Sequence, residues 1–159
     1  MDKEMQQVYS TRITQASPTE LVVIVYELVI VHLEAACQAK EQGQTEVAMR
    51  ELDLAQKFLQ ELMGSLQLQY SIGKQLFSIY RFVNKTIIEA RFHGQMDEVA
   101  GCVPLLQQLK NSFEQIASQD HRGPVMANTQ KLYAGLTYGK HALSEVSVDQ
   151  TNGHRGLYA

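Results

Sequence analysis

The feature that most constrains this chain is a helix-start signal followed by a long, almost uninterrupted apolar stretch. Residues 17–20 read Ser-Pro-Thr-Glu. Ser17 and Glu20 have the spacing of a capping box, in which each side chain accepts a hydrogen bond from the other residue's backbone N–H. Pro18 stands at the first helical position, where its missing N–H costs nothing. The chain therefore carries a strong signal to begin a helix here.

The apolar stretch that follows has the composition of a strand but the periodicity of a helix. Among residues 21–33 only Glu27 and His32 are polar, and seven of the thirteen are Val or Ile, which strands favour. Acids nevertheless recur every seven residues, which aligns them along one edge of a helix. They are Glu20, Glu27, Glu34 and Glu41. We predict a helix over 18–42 that is central to its domain and too short and polar to span a membrane.

Composition favours one ordinary helical domain in the cytoplasm. The net charge of −3 and the interleaved acids and bases argue against a nucleic-acid partner. No basic region followed by an apolar run begins the chain, so we expect no secretion signal. Cys37 and Cys102 lack metal-ligand spacing and are expected to be reduced thiols. The few prolines and many Leu, Ala, Gln and Glu residues point to an all-α protein.

Three more long helices are predicted, over 46–66, 71–93 and 96–118. Their short connections predict an antiparallel up-down four-helix bundle, because short turns join antiparallel neighbours. Ser71 is the expected cap of the third helix. Ile72 is assigned to that helix's core stripe, and Ile116 to the inner face of the fourth. Pro104 is expected to kink the fourth helix or to delay its regular part to about residue 103.

The two ends of the chain are predicted to be less regular. Residues 1–15 form a short N-terminal segment, either a helix or an extended arm. We assign 1–118 to the bundle and 119–159 to a short C-terminal helix, over 124–134, plus a tail. Apolar residues in this tail have no assigned partner, and we expect the tail to lie partly on the bundle; they are Leu132, Tyr133, Leu136 and Tyr138.

Few residues suggest catalysis, a metal or a cofactor, and we expect none of these. Helical bundles often bind metals through Glu-x-x-His pairs, which this sequence lacks. Glu89 and His93 form a single pair, for which a solvated surface is the better interpretation. His32 raises the alternative of a phosphotransfer bundle, but the helical wheel places it near the core, which favours a structural histidine.

More apolar surface is present than a bundle needs. The central helix has Ile24 and Val31 beside its acidic edge, and the third helix has Phe77, Ile88 and Phe92 on its far side. The N-terminal segment and the C-terminal segment can cover these residues. Alternatively they form a groove for an amphipathic partner helix. A third possibility is that Phe77, Ile88 and Phe92 form a strip through which the protein forms homo-oligomers.

Several motifs resemble those of the flagellar export chaperone (FliS) family, over about residues 8–118. The opening Ala-Ser-Pro-x-Glu-Leu element and the following Val25-Tyr26-Glu27 are similar to that family's signature. Further motifs follow in the same order, with Arg91 and Phe113 standing where members often have Asn and Trp. They are Glu61-Leu62 with Ser65-Leu66, Ile79-Tyr80-Arg81-Phe82, and Ile87-Ile88-Glu89-Ala90.

The resemblance implies a cytosolic chaperone that binds the disordered C-terminal region of flagellin. Such a chaperone prevents premature polymerisation and supports type III export. It implies no enzyme activity, and contact with export-gate or regulatory proteins and a homodimer stay open. Tyr9 and Ile13 match a segment that covers the groove until client binds. The expected client contacts are Tyr9, Ile13, Ile24, Val31, Phe77, Ile88 and Phe92.

Overall fold

The computed structural model describes residues 3–126, in which helices joined by turns and short connections are present and no strand is found. The predicted all-α class is therefore confirmed. The predicted tail and most of the predicted helix over 124–134 lie outside the described residues. Five helices follow one another, namely α1 (Lys3–Gln15), α2 (Pro18–Glu41), α3 (Thr45–Gly64), α4 (Ser71–His93) and α5 (Asp97–Ala117).

Helix α2 begins as its sequence predicts. The Glu20 N–H donates to Ser17 Oγ at 3.3 Å, and the Ser17 N–H donates to Glu20 Oε2 at 2.8 Å. This reciprocal capping box satisfies two backbone donors that the first turn of a helix otherwise leaves without partners. At the other end, Gly43 adopts a φ of 74°, which glycine accepts without the steric cost that other residues pay. The predicted helix thus begins and ends within one residue of its expected limits.

Helix α2 is also central in space. It packs along both α3 and α5, α3 packs against α4, and α4 packs against α5. Thr19, near the start of α2, contacts Asp120, just after the end of α5. Cys37, near the end of α2, contacts Met96, just before the start of α5. These two helices are therefore antiparallel. The largest fully buried side chains lie between the four long helices; they are Tyr26, Leu33, Leu52, Leu59, Tyr80, Ile87 and Leu106.

Three local predictions are wrong, and a fourth is wrong in one of its two alternatives. Ile72 and Ile116, both assigned to the core, are 62% and 55% exposed, because they lie at helix ends where no neighbour covers them. Tyr70, not Ser71, occupies the N-cap position of α4, without a side-chain hydrogen bond. Of the two effects expected of Pro104, the delay is wrong, because α5 is helical from Asp97. The turns around this proline bury Val99, Cys102 and Leu106, and that packing outweighs the loss of one backbone donor.

Gly73 is required by a close approach between α4 and the preceding turn. A Cβ atom at this position would lie 2.3 Å from the Gln67 carbonyl oxygen. We therefore expect Gly73→Ala to destabilise the protein by about 1–3 kcal/mol, the usual cost of overpacking. Gly101→Ala is the matched control, because it too is helical but has nothing within 4 Å of the added atom.

The control is expected to stabilise the protein by about 0.5–1 kcal/mol, since alanine is the better helix former. Urea unfolding monitored by circular dichroism measures both changes. Equal effects of the two substitutions would show that helix propensity alone decides them, and that the Gln67 contact is unimportant.

Candidate functional site

Ile24 lies beneath α1 and is not part of an open surface. It is 2% exposed and forms a small cluster with Ala16 and Leu28, against which Tyr9 and Ile13 pack while half-buried. The N-terminal segment is thus a helix that covers this side of α2. Of the two interpretations of Ile24, the structure supports the one in which the N-terminal segment covers it. Ile24 is therefore not part of an open apolar surface in this conformation.

The covering helix is attached to α2 through one polar cluster. Arg12 donates to both carboxylate oxygens of Glu27, with N–O distances of 2.6 and 3.1 Å, and its guanidinium lies 5.4 Å from the centre of the Tyr9 ring. Donation of these hydrogen bonds to Glu27 raises the pKa of Arg12. Burial, followed by the charge of Glu27, raises the pKa of Tyr9. Both groups therefore keep their ordinary charge states at neutral pH.

Helix α1 contributes no fully buried residue of its own, and Val8 is largely exposed. A cavity of about 500 Å³ lies between α1, α2 and α5. It is lined by carboxylates as well as apolar groups, among them Glu20, Glu27 and Glu114 beside Val23 and Ile24. Because so little surface holds α1 in place, it is the least firmly packed of the five helices.

The outer side of α4 leaves apolar side chains open to solvent. Phe92 is 82% exposed, Phe82 is 55% exposed and Ile88 is 37% exposed. We call these three residues the α4 strip. Arg81 and Lys85 lie beside it, around a groove of about 640 Å³. Of the sequence-predicted contacts, Ile88 and Phe92 are thus exposed, whereas Phe77 and Val31 are half-buried.

Phe82 is the member of this strip that sequence reasoning did not single out as a contact. It belongs to the family-like motif over 79–82, and a helical wheel of α4 places it between the core stripe and the far side. Its position was therefore ambiguous from periodicity alone. The structure assigns it to the exposed side, because no neighbouring helix reaches it.

A second open apolar surface, which we call the terminal cleft, lies where α2 and α4 begin and α3 and α5 end. Its volume is about 340 Å³ and its lining is almost wholly apolar. The sequence did not predict it, since two of its exposed members, Ile72 and Ile116, were assigned to the core. The lining includes Val22, Leu66, Tyr70, Ile72, Phe113 and Ile116.

His32 is a structural residue, as the helical wheel predicts. The ring is 2% exposed, its Nδ1 lies 2.5 Å from Glu51 Oε2, and it stacks on Phe58 with 5.6 Å between ring centres. A phosphoryl acceptor must be open to its donor, and this imidazole is not. The structure therefore argues against the phosphotransfer alternative.

Within the described residues 3–126, no group of three or more His, Cys, Asp or Glu side chains is arranged to hold a metal ion. A search of the same residues finds no helix that could cross a membrane. Burial is the main factor that raises the thiol pKa of both Cys37 and Cys102, which disfavours the reactive thiolate.

Within residues 3–126, these features define an all-helical fold in which α1 covers one apolar patch, around Ile24, and two other apolar surfaces, the α4 strip and the terminal cleft, stay open. The family described as "Flagellar protein FliS" matches residues 1–120. The chain belongs to this family, as its motifs predicted.

One solved structure with the same fold is described as "Crystal structure of flagellar chaperone from bacteria". It is 16% identical to this chain, with a TM-score of 0.60, and the alignment covers 74% of this chain and 99% of that one. A search of curated proteins found no match.

Proposed function

We propose that this protein is a chaperone for flagellin, built on an antiparallel four-helix scaffold and acting in the cytosol. It binds the disordered C-terminal region of flagellin, prevents premature polymerisation and supports export through the flagellar type III apparatus. The observation that carries the proposal is the α4 strip, an exposed apolar surface within the residues that match the FliS family. Catalysis has no part in this function.

The chemistry of the surface suits a client that folds on binding. Such a client loses conformational entropy, and it recovers free energy mainly by burying apolar side chains. Phe82, Ile88 and Phe92 offer this burial along one side of α4, at spacings that an amphipathic helix can match. Lys85 at the edge of the strip pairs with Glu89 at 3.5 Å, whereas Arg81 beside it can orient acidic residues of the client.

Calorimetric titration with a peptide from the flagellin C-terminal region tests this function. We expect a one-to-one complex with a negative heat-capacity change, which is the robust marker of apolar burial. A peptide of the same composition in scrambled order is the control. No heat of binding at peptide concentrations of tens of micromolar would contradict the proposal.

Helix α1 is proposed to compete with the client for the surface around Ile24. Ile13→Asp places a charge in the half-buried contact with Ala16, Ile24 and Leu28 and should release α1. Because the client would no longer have to displace α1, we expect binding about fivefold tighter, the effect of a coupling of about 1 kcal/mol. Weaker binding would instead identify Ile13 as a direct contact.

A matched control is Val8→Asp, on the same helix but largely exposed. It should leave the affinity for the flagellin peptide unchanged, because its side chain makes little contact with α2. The same titrations measure both variants.

A homodimer formed through the α4 strip is the second candidate use of that surface. Exposed aromatic side chains of this kind are also found at interfaces between identical chains. Light scattering separates the two uses. A monomer whose α4-strip variants lose only flagellin binding excludes the dimer. Binding to export-gate or regulatory proteins is a later step that this titration does not address.

A further inference from the structure

The described chain ends beside the start of α2. The Val125 N–H donates to the Ala16 carbonyl oxygen at 3.0 Å. The Asp120 carboxylate accepts hydrogen bonds from the Thr19 hydroxyl at 2.7 Å and from Arg122 Nε at 2.7 Å. These bonds, that from Arg122 foremost, hold the pKa of Asp120 well below its usual range. Hydrogen bonds therefore hold the segment after α5 against the junction of α1 and α2.

The terminal cleft opens at this same end of the molecule. Val22 comes from the first turns of α2, Tyr70 and Ile72 from the start of α4, and Ile116 from the end of α5. Tyr70, Ile72 and Ile116 are each more than half exposed in the part of the chain that the structure describes. Such a concentration of exposed apolar groups around one cleft indicates a binding surface.

The chain beyond Met126 contains apolar residues that are close enough in sequence to reach the terminal cleft. Leu132 is six residues beyond Met126, and six extended residues span up to about 20 Å. That distance is about the width of two helices, so the chain can pass from Val125 around the tip of α2. The residues after it include several apolar anchors, namely Leu132, Tyr133, Leu136 and Tyr138.

We propose that the terminal cleft binds residues 132–138 of this same chain. The tail is favoured over a client or a second copy because it leaves the bundle at the end where the cleft lies. A tethered ligand also has an effective concentration on the order of millimolar, which a separate partner rarely reaches. The terminal cleft is distinct from the α4 strip and from the patch beneath α1, so binding of the tail there goes beyond the proposed function.

The test uses fluorescence in the full-length protein. The chain contains no tryptophan, so Ile72→Trp introduces a single reporter at the cleft. In the Ile72→Trp protein we expect the tail to shield the indole from water. Adding Leu132→Asp and Tyr133→Asp should shift its emission to the red and increase its quenching by acrylamide. A synthetic peptide of residues 127–142 should then reverse both changes.

The control reporter is Phe82→Trp on the α4 strip, with the same two tail substitutions. Its emission should not change, because the strip is not the proposed site. Unchanged emission of the Ile72→Trp reporter, or equal changes at both reporters, would overturn the proposal. A shielding that increases with protein concentration would assign the cleft to the tail of a second copy and would also overturn it.

If Ile72→Trp prevents folding, Ile116→Trp places the reporter on the α5 side of the same cleft. No flagellin is present in these measurements. Their outcome is therefore independent of whether the protein is a flagellin chaperone.

Discussion

Replacing Ile88 and Phe92 together by glutamine should weaken binding of the flagellin C-terminal peptide by at least about 30-fold. This figure corresponds to a loss of about 2 kcal/mol, the level at which interface residues are called hot spots. Phe92 is the most exposed large apolar side chain of the described residues and Ile88 lies one turn before it. Glutamine keeps the helix propensity of α4 high, so the effect should fall on binding and not on folding.

Leu68→Gln is the matched control, since this exposed leucine lies in the connection between α3 and α4, away from the α4 strip. Its affinity should equal that of the unmodified protein. Circular dichroism should show unchanged thermal unfolding for all variants, because surface substitutions usually change stability by no more than about 0.5 kcal/mol. Equal affinities of the control and the double variant would place the client elsewhere.

Truncation of Tyr26 should cause the largest loss of stability of any single change considered. Its ring is fully buried, lies 6.1 Å from the Tyr80 ring and 5.5 Å from the Phe113 ring, and its hydroxyl is hydrogen-bonded to that of Tyr80. We expect Tyr26→Ala to cost about 3–5 kcal/mol, as for other large aromatic residues in cores. A domain with a total stability of about 5–15 kcal/mol would then unfold at much lower urea concentration.

The phenol pair can be separated from the ring contacts. Tyr26→Phe leaves the buried Tyr80 hydroxyl without its partner, which should cost about 1–3 kcal/mol. Adding Tyr80→Phe removes the second hydroxyl, so the double variant should lose less than the sum of the two single losses. Strict additivity in urea unfolding would show that the two hydroxyls do not stabilise each other.

Burial also raises the pKa of the Tyr26 hydroxyl, with a further contribution from the bond to Tyr80. A raised folded-state pKa means that the protonated phenol is favoured in the fold. The contribution of the protonated Tyr26 phenol to stability is therefore complete at neutral pH. It is lost only in strongly alkaline solution, above the ordinary tyrosine pKa of about 10.

Local signals in the sequence were sufficient for the four long helices, though not for α1, which was left as either a helix or an extended arm. The capping box of Ser17 and Glu20 forms as predicted, and Gly43 and Gly94 take positive φ angles just beyond the ends of α2 and α4. The core position of His32 also followed from the helical wheel. These features depend on contacts between residues three or four apart, which any helix brings together in the same way.

The surfaces were harder to predict than the helices. Ile24 was expected either beneath the N-terminal segment or in an open groove, and only the structure shows that α1 covers it, whereas Ile72 and Ile116 were expected in the core and are exposed. Periodicity identifies the apolar side of a helix, but it does not say which neighbour meets that side or where the neighbour ends. Phe82 illustrates the same limit, because its angular position between core and solvent is decided only by how far the adjacent helix extends.

The sequence alone thus determined the all-α class, the central helix and the family, because these depend on local hydrogen bonds, apolar spacing and ordered motifs. The tertiary structure alone decided which apolar residues are covered by α1, which form the α4 strip and which line the terminal cleft. Coverage depends on the relative positions and lengths of helices far apart in sequence, and on which side chains those positions leave in contact with water.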